Sequence, residues 1–234
     1  MSIEDELGEE PLNGLPDASE GDLLLIEGVT KHFEETLGPI ETTYHEKVSD
    51  FVHIDVHQIE LGEGEDARTY FTTGLAQRPM NVPSEVADPD EYRYAELVVH
   101  LPANWPTDWK ELQETHNWWP IASLINLARL PHQRESWIWG GHTISNDGPY
   151  ADDIGFCAAL VCPSYLLPED SEIVSLPDGR NIVLLTVAFL YPEELAFCLE
   201  NHSEAFLDRV QEFGLTPFEF LVVNKNRPNV CAPL

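Results

Sequence analysis

His53-Ile54-Asp55-Val56-His57 sets two imidazoles and a carboxylate at alternate positions of a short apolar run. On a strand, alternate residues project from one face, with same-face neighbours about 7 Å apart at Cα. Two nitrogens and an oxygen suit zinc or iron by ligand type. A fourth donor, His142 or His100, would complete a metal-dependent hydrolase site built on His53, Asp55, His57 and His142. The preferred reading of the same residues is a polar strand face closed by a His–Asp hydrogen bond, with no metal or other cofactor.

A second constellation lies at Gly140-Gly141-His142-Thr143-Ile144-Ser145-Asn146-Asp147-Gly148. The glycines open backbone conformations closed to other residues. His142, Asn146 and Asp147 supply polar groups, and Trp137, Trp139 and Tyr150 supply aromatic anchors, a mixture that suits a protein-binding surface. A loop simply tied to the body through His142 is the alternative. Phosphate-loop chemistry is excluded, because no GxxxxGK[ST] accompanies the glycines. No G-x-S-x-G elbow is present either, and Ser164 has no evident base beside it.

The elements that must position these residues follow from periodicity. Ile26, Val29, Phe33 and Leu37 recur at helical spacing, so a first helix is predicted over Asp22–Leu37, capped by Asp22 and ended by Gly38-Pro39. Val52, Ile54 and Val56 alternate with polar residues, whereas Ile59 and Leu61 take the opposite parity. Either the buried face changes or a bulge lies near His57-Gln58. Arg68–Leu75 is the next strand, joined through Gly62 and Gly64 as a hairpin. Tyr92–Leu101 is a third strand. A helix starts near Pro120, carries Ile121, Leu124, Ile125 and Ala128 on one face, and stops at Pro131. Strands are expected at Trp137–Ile144 and Gly155–Cys162, and a hairpin turns at Pro177-Asp178-Gly179-Arg180. A helical region runs from Pro192 to Phe213 with a break near His202 and a stop at Gly214. Segregated strands and helices give an α+β class: a mostly antiparallel or mixed β-sheet with helices packed on it.

Residues 1–21 read as an acidic disordered leader, 22–223 as one domain, and 224–234 as a C-terminal tail. The chain carries 12 basic against 42 acidic residues, a formal charge of −30. Such a field repels phosphate backbones and anionic membranes, and it favours a basic protein partner. Without a secretory signal or an apolar run of membrane-spanning length, the expected setting is cytoplasmic. Cys157, Cys162, Cys198 and Cys231 lack CxxC spacing and read as inert, buried thiols. Nothing in the sequence bears on oligomeric state.

An ordered set of motifs adds a further expectation. His53-Ile54-Asp55 precedes Thr72-Thr73-Gly74-Leu75-Ala76-Gln77-Arg78-Pro79-Met80. Ala95-Glu96-Leu97-Val98-Val99-His100-Leu101-Pro102 follows, then Trp119-Pro120, Leu127-Ala128-Arg129 and Gly140-Gly141-His142-Thr143-Ile144. In that order and spacing, from about Gly28 to about Gly214, the chain resembles the suppressor of fused family, in particular its shorter single-domain members. The resemblance implies a suppressor-of-fused-like domain that binds proteins and is not an enzyme. In short bacterial-type members it implies an immunity protein that neutralises a toxin; a regulatory role toward another protein is the alternative. It further implies that the Thr69–Leu75 strand lies at a peptide-receiving surface, with Tyr70, Thr72, Gln77 and Arg78 as contacts; an ordinary interior strand is the preferred alternative. The other contact candidates, Trp139, His142, Asn146, Asp147 and Tyr150, come from the glycine-rich loop itself.

Overall fold

The computed structural model describes residues 21–46 and 51–232. The leader expected over residues 1–21 lies, but for Gly21, outside them. The first helix, α1 (Leu23–Thr36), starts where the sequence places it: the Asp22 carboxylate accepts from the Leu25 N–H at 3.1 Å. Leu25, Val29 and Phe33 form its buried stripe. Gly38, at φ +124°, turns the chain out of the helix.

Eight strands form one mixed sheet: β1 (Ile40–Tyr44), β2 (Asp55–Ile59), β3 (Ala67–Thr73), β4 (Ala95–Pro102), β5 (Thr143–Ser145), β6 (Ala158–Pro163), β7 (Ile173–Ser175) and β8 (Asn181–Leu190). The spatial order is β1-β2-β3-β4-β8-β6-β5, with β7 also on β8. All pairings are antiparallel except β4 with β8. Among the described residues there are five α-helices: α1, α2 (Trp109–Leu112), α3 (Thr115–Gln133), α4 (Pro192–Phe213) and α5 (Pro217–Leu221).

Parity along the central strands separates two cores. Leu185, Val187 and Phe189 of β8 join Leu97, Val99 and the α3 residues Ile121, Leu124 and Ala128 on one face. Ile182 and Leu184 face α1, and Ala188 and Leu190 face α4 and α5, on the other. The sheet is therefore sandwiched between helices. The parity change in the second strand has the same origin: β2 is buried on both sides, Val56 toward α3 and Ile59 toward α1. Its pairing with β3 is regular, whereas its pairing with β1 shifts register between Ile40 and Thr42, opposite Ile59 and Gln58, so the irregularity lies in β1.

Several boundaries differ from the sequence expectation; β4 and β6, for example, each begin three residues later than expected. Helix α3 begins at Thr115, so Pro120 and Pro131 lie inside it. Burial of Trp119, Ile121, Leu124 and Ala128 against the sheet outweighs the hydrogen bonds that the two prolines remove. Strand β5 is only Thr143–Ser145, because the preceding residues fold back in a turn in which the His142 N–H donates to the Trp139 carbonyl at 3.0 Å. The expected hinge is present, since His202 has φ +68° inside α4.

The segment after Asn224, read from sequence as a tail, instead ends in a buried anchor. Arg227, 3% exposed, donates two hydrogen bonds to Glu194, at 2.9 and 2.6 Å, and one to the Phe189 carbonyl at 3.1 Å. Glu194 also accepts from the Tyr191 and Val230 N–H groups. The guanidinium lies within 5.5 Å of the Phe156, Tyr191 and Phe220 ring centroids. A paired, fully hydrogen-bonded buried charge becomes costly once its partner is removed. Arg227→Ala is expected to lower stability by about 3–5 kcal/mol, read as a drop in urea midpoint. An unchanged midpoint would mean the segment is a tail after all.

Candidate protein-binding site

The corner after β3 is held from below by one acid. Glu96 on β4 is completely buried and accepts from the Thr72 hydroxyl at 2.6 Å, the Gly74 N–H at 2.9 Å and the Ala76 N–H at 3.0 Å. Thr72 in turn accepts from the Leu97 N–H at 2.9 Å, so its hydroxyl replaces a rung of the β3–β4 ladder. Gly74, at φ +122°, lies so close to the His53 carbonyl oxygen that any Cβ would collide with it. The Gln77 side-chain oxygen accepts from the His53 N–H at 3.0 Å. His132 of α3 bonds the Leu75 carbonyl, and Arg180 of the β7–β8 turn donates to the Ala76 carbonyl. The Thr72–Gln77 stretch therefore joins β2, β3, β4, α3 and the β7–β8 hairpin.

This placement changes the roles expected of its residues. Strand β3 is flanked on both edges, by β2 and by β4, so no peptide can add to it. Tyr70 and Thr72 have no exposed surface and Gln77 almost none. Arg78 alone of that group is partly exposed.

The expected metal quartet is not assembled. His57 Nδ1 lies 3.0 Å from the Thr43 hydroxyl and His57 Nε2 lies 2.9 Å from that of Thr73, while the ring stacks on Phe71. Two hydroxyl partners can serve a neutral ring, one nitrogen donating and the other accepting. Burial agrees, pushing His57 down to about 4 against the opposing pull of Asp55. His100 is likewise lowered to about 4 by burial, and its Nδ1 lies 3.1 Å from the Thr69 hydroxyl. His53 and Asp55 do meet at 3.1 Å, but the residue that joins them is His45, not His57. His142 lies elsewhere, edge-on to Trp137 at 4.6 Å.

The second constellation stays at the surface. Gly141 donates to the Val161 carbonyl, and Val161 donates back to that of His142, so the loop is pinned to β6. Burial lowers His142, opposed by its ring hydrogen bond to the Trp137 backbone. Trp137 and Trp139 pack edge-on against Tyr92, and Tyr150 stacks on Trp119. Asn146 and Asp147 are exposed; Asn146 donates to the Gly148 carbonyl, and Asp147 holds φ +55°. Beside this loop a cleft of about 440 Å³ opens between Trp137–Ile144 and the kinked part of α4, with Leu199, His202 and Ser203 on its far wall. Among the described residues β5 pairs only with β6, so one edge of this strand has no strand partner. Exposed Glu135, Glu200 and Glu204 adjoin the cleft residues in sequence.

The family model for suppressor of fused protein matches residues 50–228. This chain belongs to the suppressor of fused family. A structure of a suppressor of fused homolog from Neisseria gonorrhoeae shares its fold at TM-score 0.60 and 13% identity, over 90% of this chain and 97% of that one. A chain in a Sufu–Fu complex matches at TM-score 0.60 and 13% identity, over 88% and 92%. Drosophila Suppressor of Fused matches at TM-score 0.58 and 13% identity over 88% of this chain, which spans only 50% of that one. No curated protein sequence matches.

Within the family's domain, the threonine–glycine motif of this chain is thus a structural corner. Glu96, His45 and Arg227 were missed from sequence. Glu96 has a legible signal, an acid inside an otherwise apolar strand; His45 and Arg227 have none. Gly74→Ala is expected to cost more than about 3 kcal/mol, through the collision and the positive φ together. A cost below 1 kcal/mol, measured by urea denaturation, would contradict that geometry.

Burial pushes Glu96 up to about 7, against the pull of the Thr72 hydroxyl and the loop N–H groups. The folded state then holds this proton more tightly than the unfolded chain. Its stabilising share is complete below the unfolded value of about 4.5 and is lost as pH rises through 7. His57 and His100, both depressed, act in the opposite sense, their share fading as pH falls below about 6.5. The stability difference between the natural chain and Glu96→Gln should therefore move against the natural chain between pH 5 and 8, by of the order of 3 kcal/mol. A difference independent of pH would refute the assignment.

Proposed function

We propose that this chain is a non-enzymatic protein-binding module that occludes a basic protein partner: a toxin, in an immunity pairing, or a regulatory protein. The carrying observation is the cleft beside β5. It combines an edge strand with no strand partner on one side, a loop fixed to β6, partly exposed Trp137 and His142, and the exposed Leu199 (71% exposed). Aromatic anchors on a rigid loop bind with little loss of conformational freedom. An open strand edge offers backbone donors and acceptors to an extended segment. The overall charge of −30 and the neighbouring Glu135, Glu200 and Glu204 favour a basic occupant. A solved relative taken as a Sufu–Fu complex supports protein binding as the mode of action.

The setting we propose is cytoplasmic. All four cysteines are free, which suits a reducing compartment, and no helix among the described residues is long and apolar enough to cross a membrane. The partner class is tested by affinity purification of the intact chain at stepped ionic strength. The expected result is a stoichiometric basic protein, released progressively by salt, whose binding weakens by about 2 kcal/mol in Trp137→Ala, which removes the aromatic wall of the cleft. Retention of the partner unchanged by both salt and Trp137→Ala would overturn the reading.

A further inference from the structure

Asp55, 3% exposed, opens β2 with each carboxylate oxygen turned to a different imidazole. Oδ2 lies 3.1 Å from His45 Nδ1, and Oδ1 lies 3.1 Å from His53 Nε2. The three donor atoms all fall within 4.8 Å of one another. Although the His53 nitrogen is this close, Oδ1 makes no aligned hydrogen bond, and it is sealed from solvent. Distance alone makes an ion pair of the two, but direction does not. A buried carboxylate oxygen left without a donor is costly, and a cation held among the three groups would satisfy it.

From this geometry we infer that His45, Asp55 and His53 form a zinc-type divalent cation site, with water in the remaining position. Two imidazole nitrogens and a carboxylate oxygen match zinc preferences. Tetrahedral ligands about 2.0–2.2 Å from zinc stand roughly 3.3–3.6 Å apart, close to the two 3.1 Å separations seen. The His45 side chain is 70% exposed, so it can swing to close the third distance and gives the ion a path from solvent. Asp55 is rigid by contrast, fixed by the pairing of its strand with β3.

The site differs in composition and in consequence from a hydrolase centre on the same strand. His57 is committed to Thr43 and Thr73, and His142 is in the cleft by β5. His45 follows β1 and His53 precedes β2, on either side of residues 47–50. A bound ion would tie the end of β1 to the start of β2 at the outer edge of the sheet. This inference does not depend on the β5 cleft, so either can fail without the other.

The intact chain, stripped with chelator, is titrated with Zn²⁺ against a chromophoric competitor and then with Co²⁺, read by visible absorption. One stoichiometric site is expected, with a Co²⁺ spectrum of low coordination number and a rise in Tm on loading. His45→Ala should weaken binding at least tenfold. Because His45 is exposed, that variant should keep the melting temperature of the stripped natural chain. His53→Ala should weaken binding to a similar degree, and His116→Ala, at an exposed site elsewhere, should bind as the natural chain does. No stoichiometric binding, or binding unaltered in both His45→Ala and His53→Ala, would overturn the site.

Discussion

A single buried carboxylate organises this molecule. Glu96, fully buried, holds a threonine hydroxyl and two backbone N–H groups. A loop buried this deeply would otherwise leave its polar groups unsatisfied, at about 1–3 kcal/mol each. Because Glu96 meets them from β4, the chain can leave β3 inside the protein instead of at the surface. Glycine at position 74 then lets the backbone press against the His53 carbonyl. From that corner, hydrogen bonds run to α3 through His132 and to the β7–β8 turn through Arg180. These contacts add direction to the apolar packing that holds the helices on the sheet.

The consequence for function is a division between the two ends of the sheet. At the β1–β2 end, polar residues are spent inward: His57 on two threonines, Asp55 on two imidazoles. At the β5 end the aromatic residues remain half-exposed on a loop that the sheet holds still. Rigid aromatic surface beside an open strand edge is an arrangement for recognising another chain. The Arg227–Glu194 pair serves that end as well, since it locks the start of α4, whose kinked later part forms the far wall of the cleft.

Much of the fold was legible because local chemistry and burial agree. Asp22 caps α1, Gly214 at φ +94° ends α4, and Gly179 at φ +93° turns the β7–β8 hairpin, each where a single residue type answers a single backbone need. The motif order also pointed to the family. The sites were less legible, because they depend on partners distant in sequence. Position on one strand face grouped His57 with His53 and Asp55; the neighbouring strands claimed it through Thr43 and Thr73. Tyr70 and Thr72 carry the composition of a recognition strand, yet strand order places β3 in the interior. No spacing rule brings Arg227 to Glu194 or His45 to Asp55, since these contacts are made by the assembled sheet.

The central claim is that the surface of action is the cleft of Trp137–Ile144 and Leu199–Ser203, carried on a frame already rigid around Glu96. Backbone hydrogen exchange of the chain, alone and with its co-purified partner, tests this most directly. The account predicts new protection confined to Trp137–Ser145 and the His202 kink, with Gly74 and Ala76 protected in both states. Partner-induced protection centred on β1 or on Thr72–Gln77, leaving the β5 edge unchanged, would contradict it.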